Sequence, residues 1–211
     1  MAGKNVITAK DVTAAILRVC DALDNQQSFI LGLDQAIGDG DLGITVGKIS
    51  AAMREFVKNS SMDDLGKFMA SAGMEANRVG SSTMGTLIAT ALMRAGKDAK
   101  GLSELTPQLL GVMLKSAATG MQERGKANLG DKTVLDAIFP AADAFNSALL
   151  ANESLKDAGL KMVKAAEDGR DSVTPQVSKI GRASWQQERT AGQVDPGCAA
   201  LVIILRALVG I

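Results

Sequence analysis

Asp195-Pro196-Gly197-Cys198-Ala199-Ala200-Leu201-Val202-Ile203-Ile204-Leu205-Arg206-Ala207-Leu208-Val209 is the one stretch of this chain that two fold classes could claim. Leu201 to Leu205 is an uninterrupted apolar run of the length of a buried strand. Yet the run continues past Arg206 as Ala-Leu-Val, and it follows Asp195, a good N-cap, and Pro196, whose fixed φ and missing N–H suit the first helical position. Helix is the better reading, and with it the case for a sheet disappears. No other stretch alternates with period two, and valine and isoleucine are not clustered between turn signals. Working outward, Val12, Ile16, Val19, Cys20 and Leu23 fall at helical spacing, as do Leu155, Met162, Val163 and Ala166. The pattern predicts an all-α protein of eight helices, at about 8–30, 43–58, 62–76, 83–97, 105–122, 131–149, 153–169 and 197–209. Pro140 falls inside the sixth, where it predicts a kink or bend.

Short links between successive helices imply antiparallel neighbours, so the eight run up and down around a common axis. The glycine-rich or polar segments are Gly38-Asp-Gly-Asp-Leu-Gly43, Gly80-Ser-Ser-Thr83, Gly125-Lys-Ala-Asn-Leu-Gly-Asp131 and Gly181-Arg-Ala-Ser through Asp195-Pro-Gly197. They precede helices two, four, six and eight, which begin at the same end of such a bundle. Four helix N-termini converging on one face form an anion site. The last connection, 170–196, is far longer than an ordinary helix link and reads as a lid or binding loop. With no repeat, low-complexity tract or linker, residues 1–211 read as a single domain.

Composition narrows the chemistry. Of 211 residues 46% are hydrophobic but only 3% aromatic, so the core is aliphatic, with methionines such as Met53, Met69, Met74, Met84, Met93, Met113 and Met162 as gap-fillers. The 23 basic residues balance 23 acidic ones, and without a basic run or stacking aromatics nucleic acid is not an expected partner. There is no membrane-length apolar run, and no apolar segment follows Met1-Ala-Gly-Lys-Asn5. Cys20 and Cys198 sit in apolar stretches as reduced core thiols, so the expected compartment is the cytoplasm. The chain has no histidine, which excludes serine-triad, zinc-hydrolase and phosphohistidine chemistry on this polypeptide. What remains is carboxylates, amides, hydroxyls, Lys, Arg and a hard metal.

Asp34, Asp39 and Asp41, gathered by a turn containing Gly38, Gly40 and Gly43, repel one another unless a cation sits among them, and an all-oxygen set selects Mg²⁺, Mn²⁺ or Ca²⁺. The same residues could simply form a solvated turn that caps the next helix. An EF-hand is excluded, because counting from Asp39 places Ile44 where the turn glycine belongs and Ser50 where the bidentate Glu should be. Beside converging helix N-termini, the acidic trio points to a Mg-nucleotide. Gly120-Met-Gln-Glu-Arg-Gly-Lys126 is not a P-loop: Ala127 replaces the required Ser or Thr, and the segment ends a helix. No protein-kinase motif is present either. Ser81, Ser82 and Thr83 offer hydroxyls and N–H groups to phosphate, with N-capping the more ordinary role for at least one. Arg182 is a candidate phosphate clamp. Trp185 pins a lid, packs under the loop or faces a partner.

Leu33-Asp-Gln-Ala-Ile-Gly-Asp-Gly-Asp-Leu-Gly43, Arg124-Gly-Lys-Ala-Asn-Leu-Gly-Asp-Lys-Thr-Val-Leu-Asp136 and Gly181-Arg-Ala-Ser-Trp-Gln-Gln-Glu-Arg-Thr-Ala-Gly-Gln-Val-Asp-Pro-Gly197 resemble, in order, the three signature blocks of the L subunit family of dihydroxyacetone kinase. The resemblance implies an up-down eight-helix barrel with an adenine nucleotide and two Mg²⁺ ions at one end. It implies Asp34, Asp39 and Asp41 as Mg²⁺ ligands. Leu42, Gly43, Ile44, Thr45, Ser81, Ser82, Gly125, Val134, Arg182, Asp195, Pro196 and Gly197 are implied to line ADP or ATP. It further implies a separate K subunit that holds the ketose covalently through its own histidine, and transfer of a phosphoryl group to that ketose. The nucleotide then either exchanges as ATP or stays bound and is recharged by a phosphotransferase-system protein. The chain departs from the family pattern in having Leu42 where histidine is common, and Gly80-Ser-Ser-Thr-Met-Gly85 in place of Gly-Gly-x-Ser-Gly-Pro-Leu. A second function fits the same trio of aspartates: a non-catalytic Mg-nucleotide module that regulates a partner such as a transcription factor.

Overall fold

The structure, a computed structural model, describes residues 6–211; the expectation about a leader at residues 1–5 lies outside them. Eight α-helices account for nearly all of it: α1 Ala9–Ile37, α2 Asp41–Asn59, α3 Leu65–Val79, α4 Thr83–Asp98, α5 Pro107–Gly125, α6 Leu135–Leu150, α7 Leu155–Val173 and α8 Pro196–Val209. Each packs on the next and α8 returns to pack on α1, which closes the ring into the up-down barrel that the helix count and short links predict. No described helix is long and apolar enough to cross a membrane.

The helices start where the sequence provides caps. Thr8 and Asp11 form a reciprocal capping box on α1. Asp64, Ser82, Thr106, Ser154 and Asp195 each accept an N–H from the first turn of α3, α4, α5, α7 and α8. Pro107 and Pro196 occupy first-turn positions that need no donor. The apolar run at 201–205 is therefore helical, as read.

Several boundaries differ from expectation. α1 runs to Ile37 rather than 30, because Leu23, Ile30 and Ile37, each two turns apart, continue one buried stripe. Two residues at each of two helix starts, Ile7–Thr8 (β1) and Glu104–Leu105 (β2), are extended and pair antiparallel, tying the beginning of α1 to that of α5. Helix α6 runs across Pro140 from Leu135 to Leu150. Pro140 has no N–H for the carbonyl of Asp136, four residues back, and that oxygen lies against α7 at Gly169, where a Cβ would come within 2.0 Å of it. The long connection contains 3₁₀ turns at Arg182–Thr190, broken at Gln187, whose φ is 47°.

The largest apolar cluster joins α5 to α8 around Leu135, Ile138, Phe145, Met162, Val163, Val202 and Leu205. Met53, Met113 and Met162 are core residues as expected and Met69 and Met84 are partly buried, whereas Met74 and Met93 are exposed. Their helical spacing was shared by a second, outward face. Cys20 and Cys198 are buried free thiols.

Candidate functional site

The acidic corner is built by the end of α1 and the start of α2. The longer α1 places Asp34 in its last turn rather than in a flexible loop. Its Oδ2 accepts the N–H of Leu42 at 2.9 Å, tying the two helices across the turn. Both glycines of that turn are required. A Cβ on Gly38 would stand 2.1 Å from Asp34 Oδ1, and Gly40 caps α2 with a φ of 76°, a left-handed conformation costly for other residues. One carboxylate oxygen from each of Asp34, Asp39 and Asp41 lies within 4.8 Å of the others. Asp34 is buried, Asp41 half-buried and Asp39 exposed. Burial, with the charge of Asp34, pushes the Asp41 carboxyl above the usual range. The guanidinium of Arg182 pairs with Asp39 and stands 3.3 Å from Asp41. The positive charge that the crowded trio calls for is supplied by Arg182, which faces carboxylates rather than an open phosphate position.

These aspartates form one wall of a cleft of about 180 Å³. Its lining joins Asp34, Asp39, Asp41 and Leu42 to Gly125 at the end of α5, Val134 and Leu135 at the start of α6, and Arg182. Asp195, Pro196 and Gly197 at the start of α8 and Thr83 and Met84 at the start of α4 complete it. The N-terminal turns of α2, α4, α6 and α8 therefore meet at one end, as the four loops predict. Gly43, Ile44, Thr45, Ser81 and Ser82 lie outside this lining. Gly43 is explained by helix packing, since a Cβ there would approach Leu31 Cβ to 2.7 Å. Ile44 and Ser81 are exposed. The Thr45 hydroxyl hydrogen-bonds that of Ser82, which caps α4 by accepting the N–H of Gly85 at 3.1 Å.

The four N-termini are not equivalent. Ser82 and Asp195 already satisfy an N–H of α4 and α8, whereas α2 and α6 begin without a side-chain cap. Even there the N–H of Leu42 is held by Asp34 Oδ2, and those of Leu135 and Asp136 by the hydroxyl and carbonyl of Thr133, so what these two ends offer an anion is chiefly their positive dipole. Asp195 is buried with its Oδ1 2.7 Å from the N–H of Cys198, and desolvation raises its pKa to about 6 against that bond's pull. Burial likewise pushes the Cys198 thiol well up, so it is a packing residue and not a nucleophile.

Lys132, to which the sequence reading assigned no role, also lines the cleft and is 1% exposed. Asp136 holds the preceding turn by accepting the N–H groups of Gly130 and Thr133, leaving Lys132 at a φ of 61° with its side chain turned inward. Its Nζ donates to the carbonyls of Thr174 at 2.9 Å, Gln176 at 2.8 Å and Thr190. Lysine is seldom buried without a carboxylate partner, and no local pattern announces three carbonyls 42 to 58 residues away.

The DAK2 domain family model matches residues 36–210. The ADP-binding subunit DhaL of the PEP-dependent dihydroxyacetone kinase of Escherichia coli K12 is 28% identical over 193 residues, covering 92% of each chain. The corresponding subunit of PEP-dependent dihydroxyacetone kinase 2 of Listeria innocua is 30% identical over 194 residues, covering 88% of this chain and 87% of its own. Among solved structures, the dihydroxyacetone kinase of C. freundii in complex with AMP-PNP and Mg²⁺ superposes with a TM-score of 0.71 at 21% identity. That match takes in 99% of this chain but only 35% of the larger one, and at this identity it bears on the fold alone. With the family model matched over most of its length, the chain belongs to the DAK2 domain family and is similar throughout to ADP-binding subunits of dihydroxyacetone kinase.

Proposed function

We propose that this chain is the ADP- or ATP-binding subunit of a two-component dihydroxyacetone or similar short-ketose kinase, with residues 1–211 acting as one nucleotide-binding domain. The observation that carries the reading is the meeting of three carboxylate oxygens within 4.8 Å at the mouth of a cleft onto which the positive ends of α2, α4, α6 and α8 open. Similarity to the two ADP-binding subunits supports it. The donor set is all oxygen, and Asp34, Asp39 and Asp41 would hold two Mg²⁺ with nucleotide phosphates supplying the rest of the negative charge. Held there, Mg²⁺ would supply positive charge to a transferring phosphoryl group. Donors at the starts of α2 and α6 would bind phosphate oxygens, with Leu42, Gly43, Ile44 and Thr45 forming the first turn of α2. Arg182, released from Asp39 and Asp41, would add its fork to them. Gly125, Val134 and Asp195 to Gly197 would line the nucleotide, and Ser81 and Ser82 would stand at its phosphate side.

Lacking histidine, this chain relies on a separate K subunit to hold the ketose covalently, and the reaction is phosphoryl transfer across the contact between the two. A phosphotransferase-system protein as phosphodonor fits a nucleotide that stays bound. The buried reduced thiols accord with a cytoplasmic location. Calorimetry tests the site: ADP with Mg²⁺ binds tightly to the wild type, and Asp39→Asn abolishes binding without unfolding the protein. Unchanged binding in that variant overturns the assigned site. Mass spectrometry of the native protein for co-purified ADP or ATP, followed by ketose phosphorylation assays with and without a K subunit, separates the kinase from a regulatory nucleotide module.

A further inference from the structure

The segment 177–190 leaves the barrel at the end of α7, carries Ile180 to Ala183 to the cleft and comes back toward α8. Its two feet are stitched together at one point. Thr174 and Gln176 on the outgoing side and Thr190 on the returning side all present carbonyls to Lys132 Nζ, so the three protons of one ammonium meet three backbone acceptors. Around that hub, Ser178 N–H donates to Thr190 Oγ1 at 2.8 Å and Gly192 N–H to the Thr174 carbonyl at 2.9 Å. Lys179 reaches back to the same turn as Lys132, its N–H to the Asp131 carbonyl at 3.1 Å and its Nζ to the Gly130 carbonyl at 2.7 Å. Beyond the feet the segment is largely exposed, and Arg182 on Asp39 and Asp41 holds it to the opposite wall.

We propose that Lys132 is a positioning residue that closes the feet of the 177–190 segment into a lid and so sets Arg182 over the acidic corner. The part of this role that concerns nucleotide rests on the function proposed above; the lid itself does not. Among the described residues no carboxylate pairs with Lys132 Nζ, and the charge is matched to carbonyl dipoles, which gives direction without competing for the metal ligands. Burial holds the Lys132 ammonium below the usual lysine range, with the nearby Asp195 opposing that shift in part.

The test compares Lys132→Met, Arg182→Met and the double variant with the wild type. Met keeps an unbranched stem of nearly the same reach and removes the ammonium. In free protein, trypsin cleavage after Arg182 and Arg189 accelerates about tenfold or more in Lys132→Met, the scale of losing a charge-assisted network, while cleavage in the helices is unchanged. Affinity for Mg²⁺ and ADP, measured well below the melting temperature, falls about tenfold in Lys132→Met but changes by less than about threefold when the same substitution is made in Arg182→Met, because the two act through one contact. A purely architectural lysine lowers melting temperature and gives additive losses, which overturns the positioning role. Unchanged cleavage at Arg182 and Arg189 overturns the lid. Where the wild type binds no Mg²⁺ and ADP, the function proposed above fails and the cleavage arm alone decides the lid. Should Lys132→Met not fold, Thr190→Val removes the hydroxyl that receives Ser178 N–H, leaves Lys132 in place, and is expected to loosen the same segment in the same direction.

Discussion

Asp195→Asn is expected to stabilise the ligand-free protein, and to do so only above a definite pH. Asp195 ordinarily titrates at 3.8, and burial in the folded protein moves it to about 6. Between those values the native state holds a proton that the unfolded chain has lost, so its contribution to stability is fully present below 3.8 and is lost as the pH rises through 6. The difference of roughly two pKa units corresponds to about 3 kcal/mol of folding free energy forfeited near neutrality. Asparagine carries no charge to desolvate yet keeps the oxygen that accepts the N–H of Cys198, so the cap on α8 survives. Urea unfolding of both proteins with a chelator and no nucleotide, from about pH 4 to about pH 8, should give equal stability at the acid end. The variant should gain up to about 3 kcal/mol by the alkaline end. A difference that is flat with pH, or that grows toward acid, refutes the assignment of an ionised, poorly solvated carboxylate at the start of α8. A protein that keeps such a charge at the wall of its cleft gives up stability where its chemistry would occur.

Gly169→Ala should cost about 1–3 kcal/mol in chemical denaturation, because its Cβ would fall 2.0 Å from the Asp136 carbonyl and force α6 and α7 apart; a neutral substitution would show that this contact is not tight. Ser82→Ala should cost about 1 kcal/mol and Ser82→Gly only a few tenths, the ordering expected of an N-cap. Equal losses would point to a different role. Trp185 is 82% exposed, so Trp185→Phe should change stability by less than about 0.5 kcal/mol, and iodide should quench the wild-type fluorescence readily. A blue-shifted, protected emission would mean that the indole is covered.

The fold was legible because its signals are local. Asp195 and Pro196 start α8 as their chemistry dictates, and the position of each glycine-rich loop before every second helix was enough to bring four N-termini to one end. Boundaries were less legible where burial outweighed local polarity. The expected end of α1 at residue 30 precedes a stretch containing Gly32, Asp34 and Gln35, but Ile30 and Ile37 are wholly buried and carry the helix past Asp34. The acidic trio could be read from spacing because the eight residues from Asp34 to Asp41 cannot separate the three groups far. Contacts made across long sequence distances could not be read. Arg182 meets Asp41 over 141 residues, and Lys132 finds its carbonyls through the tertiary fold alone. Of Ser81, Ser82 and Thr83, for at least one of which capping was the more ordinary expectation, Ser82 takes that role by accepting the Gly85 N–H.

Closure of the ring fixes where the outer ends of α1 and α8 lie. The last turn of α1 and the first turn of α8 border the cleft, so α1 begins and α8 ends roughly 20–40 Å away, at the far pole of the barrel. There Arg18 donates to the carbonyls of Ala207 and Leu208, fastening the outgoing end to the incoming helix. The start of α1 and the end of α8 thus share the pole opposite the opening, and the hold of Arg18 on α8 closes the ring there.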